Sequence, residues 1–272
     1  MTRRFTWNRI TQCLIVLVCA FALKLYYSTA SADQLRWILA PTTALVEVIN
    51  GASFEFESHA GYLSSDRSFL IANSCAGVNF LIAAFLMLSM RKLLVDRSKE
   101  MAWGFLTTSA LIAYLVTVVA NAARISVALW LQRIPGEIVG LNPSQLHRVE
   151  GIAVYFGFLL LLFVISERIS SEKTSSLFRK PLFPLLVYYA TAIGIPLANG
   201  AYRQGSGFWE HSLFVLLIPL LLIIPLAVFR VYRQFRSGRS EAVGGRVCVL
   251  RTRFGGTKEQ PRISRIARME HE

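Results

Sequence analysis

Three short stretches of this chain carry residue types that could do covalent chemistry together. Cys75 lies in Asn73-Ser74-Cys75-Ala76-Gly77-Val78-Asn79-Phe80, Arg124 closes Asn121-Ala122-Ala123-Arg124, and His147 opens His147-Arg148-Val149-Glu150-Gly151. A cysteine at the start of a helix has its thiolate favoured by unpaired backbone N–H groups and by the positive end of the helix dipole. Such a thiolate attacks a peptide carbonyl to give a thioester. An imidazole nearby protonates the leaving amine and then deprotonates the incoming nucleophile. A guanidinium held where water is scarce stabilises the oxyanion that develops on the carbonyl. Cys75 is thus the candidate nucleophile, His147 the candidate acid and base, and Arg124 the candidate oxyanion group. Asn73, Asn121 and Glu150 are candidate substrate-binding residues.

Each of these residues also has a plain structural role available. A lone cysteine at a helix end is commonly a small packing residue, and Arg124 could anchor at headgroup level, as Arg133 and Arg203 are expected to. His147 could bond a loop carbonyl, and Glu150 could pair with Arg148. His59 is expected to have a minor role at most. The elements that position the three stretches therefore decide between the two readings.

Composition points those elements toward a membrane. Hydrophobic residues make up 54% of the 272. Several apolar runs reach the roughly 20 residues needed to cross a bilayer as helix. The net charge of +13 would suggest a nucleic-acid surface if it formed one patch. Instead most of the 29 Lys and Arg residues flank the apolar runs, as the positive-inside rule requires, and no nucleic-acid partner is expected. The four cysteines, Cys13, Cys19, Cys75 and Cys248, have neither metal-ligand nor disulfide spacing. No phosphate-cradling glycine loop and no helical His pair is present, so neither metal nor cofactor is expected.

Taken in order, Arg3, Arg4 and Arg9 precede a first crossing from Ile10 to Tyr27, interrupted by Lys24, which can snorkel. Ala30-Ser31-Ala32 resembles a signal-peptidase site, and cleavage there would leave the following topology intact. Trp37 to Ile49 is expected to be an interfacial or re-entrant helix. Ser53 to Glu57 alternates with period two, His59-Ala60-Gly61 reads as a turn, and Arg67 to Ala72 reads as a second strand, giving a small outer-face hairpin. Crossings follow at Ala76 to Met90, Met101 to Ala120, Val149 to Ile165, Leu182 to Leu197 and Ser212 to Phe229. Ser144 is the expected N-cap of the helix carrying His147. Tyr202, Trp209 and His211 are expected to be interfacial anchors.

The expected fold is an all-α polytopic membrane protein of about six transmembrane helices. Residues 1–236 form the integral domain, and residues 237–272 form a basic, disordered cytoplasmic tail. Both termini are expected in the cytoplasm. This topology brings Cys75, Arg124 and His147 to one depth at the outer boundary, where ionisable residues default to a functional hypothesis.

The three motifs resemble the exosortase and archaeosortase family of membrane transpeptidases. The resemblance lies in Cys75 with Gly77, Asn121 with Arg124 and His147 with Gly151, and extends over roughly residues 10 to 230. The wording around Cys75 is similar to the exosortase K type, although the family commonly has Ser where this chain has Ala76. The resemblance implies a bacterial inner-membrane enzyme with its site on the outer (periplasmic) face. Such an enzyme recognises a C-terminal sorting signal on exported proteins, cleaves it through a cysteine thioester and passes the new C-terminus to an unidentified acceptor. Its partners would be those exported proteins, the acceptor and membrane lipids. A non-enzymatic transporter or assembly subunit is the alternative, although the helix middles carry almost none of the charges that a transport path would need.

Overall fold

A computed structural model describes residues 2–95, 104–134, 142–169, 182–198, 200–204 and 207–225. The chain divides into two compact units, Met1–Ile223 and Ile224–Glu272. The site and its supports lie in the first unit. The expected tail, 237–272, and the end of the last expected crossing, 226–229, fall outside the described residues.

The described chain is mostly helical. It runs α1 (Thr2–Thr29), α2 (Arg36–Asn50), strands β1 (Phe54–Glu57), β2 (Gly61–Ser64) and β3 (Leu70–Ile71), a 3-10 turn (Asn73–Cys75), α3 (Val78–Val95), α4 (Gly104–Gln132) and α5 (Pro143–Ile169). Then come α6 (Leu182–Tyr189), a π turn (Ala190–Gly194), α7 (Ile195–Ala198) and a final helix, α8 (Gly207–Pro225). Among the described residues five spans are long and apolar enough to cross a membrane, Arg9–Thr29 in α1, Asn73–Leu94 through α3, Gly104–Gln132 (α4), Ser144–Ile169 in α5 and Gly207–Pro225 (α8). The chain is a multi-pass membrane protein by this measure. The apolar stretch Leu182–Leu197 is shorter. Pro196 lacks the N–H that would bond Ala192, and the helix widens into the π turn just before it.

The share of each span covered by protein orders the bundle. For α3 it is 61% and for α1 it is 11%, so α3 is the centre and α1 the periphery. Helix α3 packs against α1, α4, α5 and α6. Ile82 and Met87 of α3 and Phe156, Leu159 and Phe163 of α5 are fully buried, filling the core with large side chains on facing helices. At the far end of α3, Arg91 is buried under the bundle, donating to the Ser166 carbonyl at 2.8 Å.

Helix α2 is amphipathic. Ile38, Leu39, Thr42 and Val46 form its buried face at helical spacing, and it packs against α4. Tyr114 of α4 donates to the Trp37 carbonyl at 2.9 Å, and Asn50 donates to Ser126 Oγ at 2.7 Å, fastening α2 at both ends. The helix has 15 residues. At the helical rise that is about 22 Å, short of the roughly 30 Å hydrocarbon core.

The sheet differs from the expected hairpin. It has three antiparallel strands in the order β1-β2-β3, with Phe56 opposite Tyr62 and Tyr62 opposite Ile71. The added strand is Gly61–Ser64, and the expected Arg67–Ala72 strand is pared to Leu70–Ile71. Two carboxylates account for this. Asp66 accepts from Ser64 Oγ, Ser68 N and Ser68 Oγ, which makes 64–68 a tight turn and not strand. Asp33, between α1 and α2, accepts from the His59 backbone N–H and from Ser58 Oγ, which secures the β1–β2 turn where His59 adopts φ 65. These hydrogen bonds favour the charged form and lower both carboxyl pKa values, that of Asp66 to about 2.

Candidate active site

The 3-10 turn Asn73–Cys75 delivers the cysteine. Asn73 Oδ1 accepts from the Ser74 N–H at 2.8 Å, and the Asn73 carbonyl accepts from Ala76 N and from the Tyr27 hydroxyl of α1. Cys75 therefore precedes α3 and is not its first residue. Gly77 makes the joint: its carbonyl accepts from Phe80 N and Leu81 N, and its φ of 71 lies in the left-handed region that side chains resist. A Cβ there would also stand 3.1 Å from Asn121 Cγ.

Helix α4 presents Asn121 and Arg124 three residues apart on one face. Asn121 is fully buried. Its Nδ2 donates to the Cys75 carbonyl in a short hydrogen bond, and its Oδ1 accepts from the Tyr155 hydroxyl at 2.7 Å. Each end of the amide thus bonds to protein, which makes Asn121 a support for the turn. Asn73 is likewise occupied with its own turn.

Helix α5 supplies His147, Glu150, Gly151 and Tyr155, again on one face. Its N-cap is Asn142, not Ser144. Asn142 Oδ1 accepts from Gln145 N at 2.9 Å, and Gln145 Oε1 accepts in return from Asn142 N at 3.3 Å. This reciprocal pair is a capping box. The first turn, and with it His147, is held in place. Gly151, one turn on, makes room for α4: a Cβ there would come 2.9 Å from Arg124 Nε.

Arg124 lies between the two helices. Its Nη1 donates to the Tyr155 hydroxyl at 3.2 Å and its Nη2 reaches His147 Nε2 at 3.0 Å. A guanidinium has donors only, so Nε2 is the acceptor and the imidazole proton sits on Nδ1. Nδ1 faces Glu150 Oε2 at 3.3 Å, and the Glu150 side chain is 4% exposed. The result is a hydrogen-bonded chain from the Cys75 carbonyl through Asn121, Tyr155 and Arg124 to His147, with the Glu150 carboxylate in ion-pair range beyond it and making no hydrogen bond among the described residues.

Phe80 stacks on Tyr155 at 5.1 Å and Arg124 sits 5.3 Å from the same ring. The Cys75 side chain lies in electrostatic range of Arg124, Tyr155 and Tyr27. Cys75 is partly buried, and among the described residues its thiol makes no hydrogen bond. Ser74 and Gly77, its neighbours, line a cavity of about 290 Å³, together with Arg124 and His147.

The structure therefore brings Cys75, Arg124, His147, Asn121 and Glu150 into one cluster, with Asn73 at its edge. His59 lies away from it, paired with Asp33 at 3.1 Å. Tyr155 escapes a sequence reading because it looks like any aromatic in an apolar run. Its one signal is the spacing of eight from His147, which is near two helical turns. His211, expected to be an interfacial anchor, lines the cavity. Among the described residues no three His, Cys, Asp or Glu side chains converge with the geometry of a metal site.

Bundle and cluster define a multi-pass membrane protein with a polar, cysteine-bearing site at one end of its helices. The chain matches no family model, no curated protein and no solved structure.

Proposed function

We propose that this protein is a membrane-embedded cysteine peptidase and transpeptidase of the exosortase type. One observation carries the proposal: the polar chain that ties the Cys75 backbone to an arginine and a carboxylate-backed histidine. Purely structural use of Cys75, Arg124 and His147 would not require them to be joined in this way.

In this mechanism the Cys75 thiol passes its proton to His147 Nε2, and the thiolate attacks the carbonyl of the scissile bond. Arg124 leaves Nε2 for the oxyanion of the tetrahedral adduct, which frees the nitrogen lone pair for that proton. Glu150 holds the imidazolium by its Nδ1–H. As the C–N bond breaks, the proton moves from Nε2 to the leaving amine and a thioester remains. The acceptor gives its own proton to Nε2, attacks the thioester and releases the Cys75 thiol. Tyr155 and Asn121 keep Arg124 and the Cys75 turn in register.

The substrate is an exported protein whose C-terminal sorting signal includes a transmembrane helix. Such a helix confines it to the bilayer at the right depth, so a small cavity suffices. We place the enzyme in a bacterial cytoplasmic membrane with about six crossings, counting Leu182–Leu197, and with both termini inside. The site and the sheet then face outward, with α2 lying along the interface. The distribution of Lys and Arg supports that orientation.

The test is processing of a tagged exported protein that ends in a short motif, an apolar helix and a basic cluster. Cys75→Ala, Arg124→Ala and His147→Ala should each abolish processing while the enzyme remains in the membrane. Normal processing by Cys75→Ala overturns the proposal.

A further inference from the structure

Among the described residues the cavity beside Arg124 is lined by three cations, Lys24, Arg124 and Arg148, and by no carboxylate. Two of the three have a carboxylate close by. Arg148 pairs with Glu210 at 3.5 Å, and Arg124 has Glu150 in electrostatic range behind His147. Lys24 has none among the described residues. Its Nζ donates to Asn79 Oδ1 at 2.8 Å and lies 5.4 Å from the centroid of the Tyr27 ring, both neutral partners. An ammonium has three donors. Asn79 Nδ2 makes no hydrogen bond among the described residues, so the pair offers an unspent positive charge and an unspent amide donor at the cavity wall.

The helices that build this wall indicate what meets that charge. Lys24 and Tyr27 come from α1, and His211 and Val215 from α8. These are the two spans least covered by protein, at 11% and 22%. Leu17, Phe21 and Leu25 of α1 and Leu213 and Leu217 of α8 are exposed, which in a bilayer means exposed to acyl chains. Helix α1 ends at Thr29, five residues beyond Lys24. That is about 8 Å along the axis, at the depth where lysines reach the headgroups. A group reaching Lys24 past these helices carries apolar chains and a negative charge close to them.

We propose that Lys24 and Asn79 form a phosphate subsite for a membrane phospholipid. The headgroup phosphate accepts from the Lys24 ammonium and the Asn79 amide, and the acyl chains lie along the apolar flanks of α1 and α8. The subsite belongs to the cavity of the proposed peptidase, but it rests on charge and exposure and not on that activity.

The test uses the full chain in detergent, with lipid occupancy read by native mass spectrometry and thermal denaturation. The probes are phosphatidylglycerol, diacylglycerol, which lacks phosphate, and inorganic phosphate. Phosphatidylglycerol should be retained and should raise the melting temperature, while diacylglycerol and inorganic phosphate should do neither. Lys24→Gln should weaken phosphatidylglycerol binding about tenfold or more, Lys24→Arg should preserve it, and Asn79→Ala should weaken it several-fold, in line with loss of a charge-assisted hydrogen bond. Arg203→Gln, a change at an exposed cation away from the cavity wall, should leave it unchanged. Circular dichroism of Lys24→Gln controls for folding. Equal binding by Lys24→Gln and the natural chain, or equal effect of diacylglycerol, overturns the proposal, as does inorganic phosphate acting as well as the lipid. Cys75→Ala should bind lipid like the natural chain, so a failed peptidase assay leaves this outcome legible.

Discussion

Arg124 donates to Nε2 of His147 at 3.0 Å, and that contact fixes the imidazole proton on Nδ1, toward the buried Glu150. The residue expected to exchange protons with Cys75 is thus held from both sides. Glu150, expected from the sequence to bind substrate, has Oε2 3.3 Å from that Nδ1, a position that suits it to orient the histidine. Removal of its charge by Glu150→Gln should lower kcat about 10- to 100-fold with little change in KM, and Glu150→Asp should recover part of the loss. Steady-state kinetics of substrate processing check this. A KM effect without a kcat effect would return Glu150 to substrate binding.

Gly151 gives a steric test. A methyl group there would press on Arg124 Nε from 2.9 Å, whereas at Gly157, on the same helix, no atom lies within 4 Å. Gly151→Ala should displace the guanidinium and reduce processing at least tenfold, with overpacking worth about 1–3 kcal/mol. Gly157→Ala should be silent in both activity and melting temperature. Equal behaviour of the two variants would remove Gly151 from the site.

Tyr155→Phe deletes one hydroxyl and leaves the buried Asn121 carbonyl oxygen without its donor. Such a group costs about 1–3 kcal/mol, so the melting temperature in detergent should fall. Asn121→Ala removes the other partner. The double variant should be destabilised by less than the sum of the two, because the pair shares one hydrogen bond. Additive shifts would show that the Asn121–Tyr155 bond does not stabilise the folded protein.

The turn at Asp66 should show a pH dependence of its own. Its carboxyl pKa falls from 3.8 to about 2 through bonds from Ser64 and Ser68. A lowered carboxyl pKa stabilises the fold above the ordinary value and ceases to as pH falls through the folded value. Amide protection in residues 64–70, taken relative to the intrinsic exchange rate at each pH, should therefore be steady above pH 3.8 and fall as pH falls from 3.8 toward 2. Asp66→Asn should exchange faster at neutral pH and lose that dependence.

Much of the scaffold was legible because lipid permits few solutions: a long apolar run has to become a helix. The crossing expected from Met101 to Ala120 is seen, over its described part, within the longer helix Gly104–Gln132, about 43 Å long by helical rise. Cys75, Arg124 and His147 were legible as a group through the common depth that the expected topology gives them. What the sequence did not disclose depends on partners distant along the chain. Strand β2 exists because Tyr62 faces both Phe56 and Ile71, a register that no local alternation encodes. The spacings Cys-x-Gly and His-x-x-x-Gly were visible, but their reason was not. Each glycine clears space for a side chain of α4, Gly77 for Asn121 and Gly151 for Arg124.

The polar face of α4 also bears on how the chain is made. Synthesis reaches Asn121 and Arg124 before Tyr155 and His147 exist, and an unsatisfied polar group in hydrocarbon costs several kcal/mol. A nascent α4 therefore gains stability when α5 emerges and supplies the partners of Asn121 and Arg124. A chain stalled short of Tyr155 would carry Arg124 without the hydroxyl and imidazole that meet it in the finished fold, a mark by which the cell could single out the incomplete chain for removal.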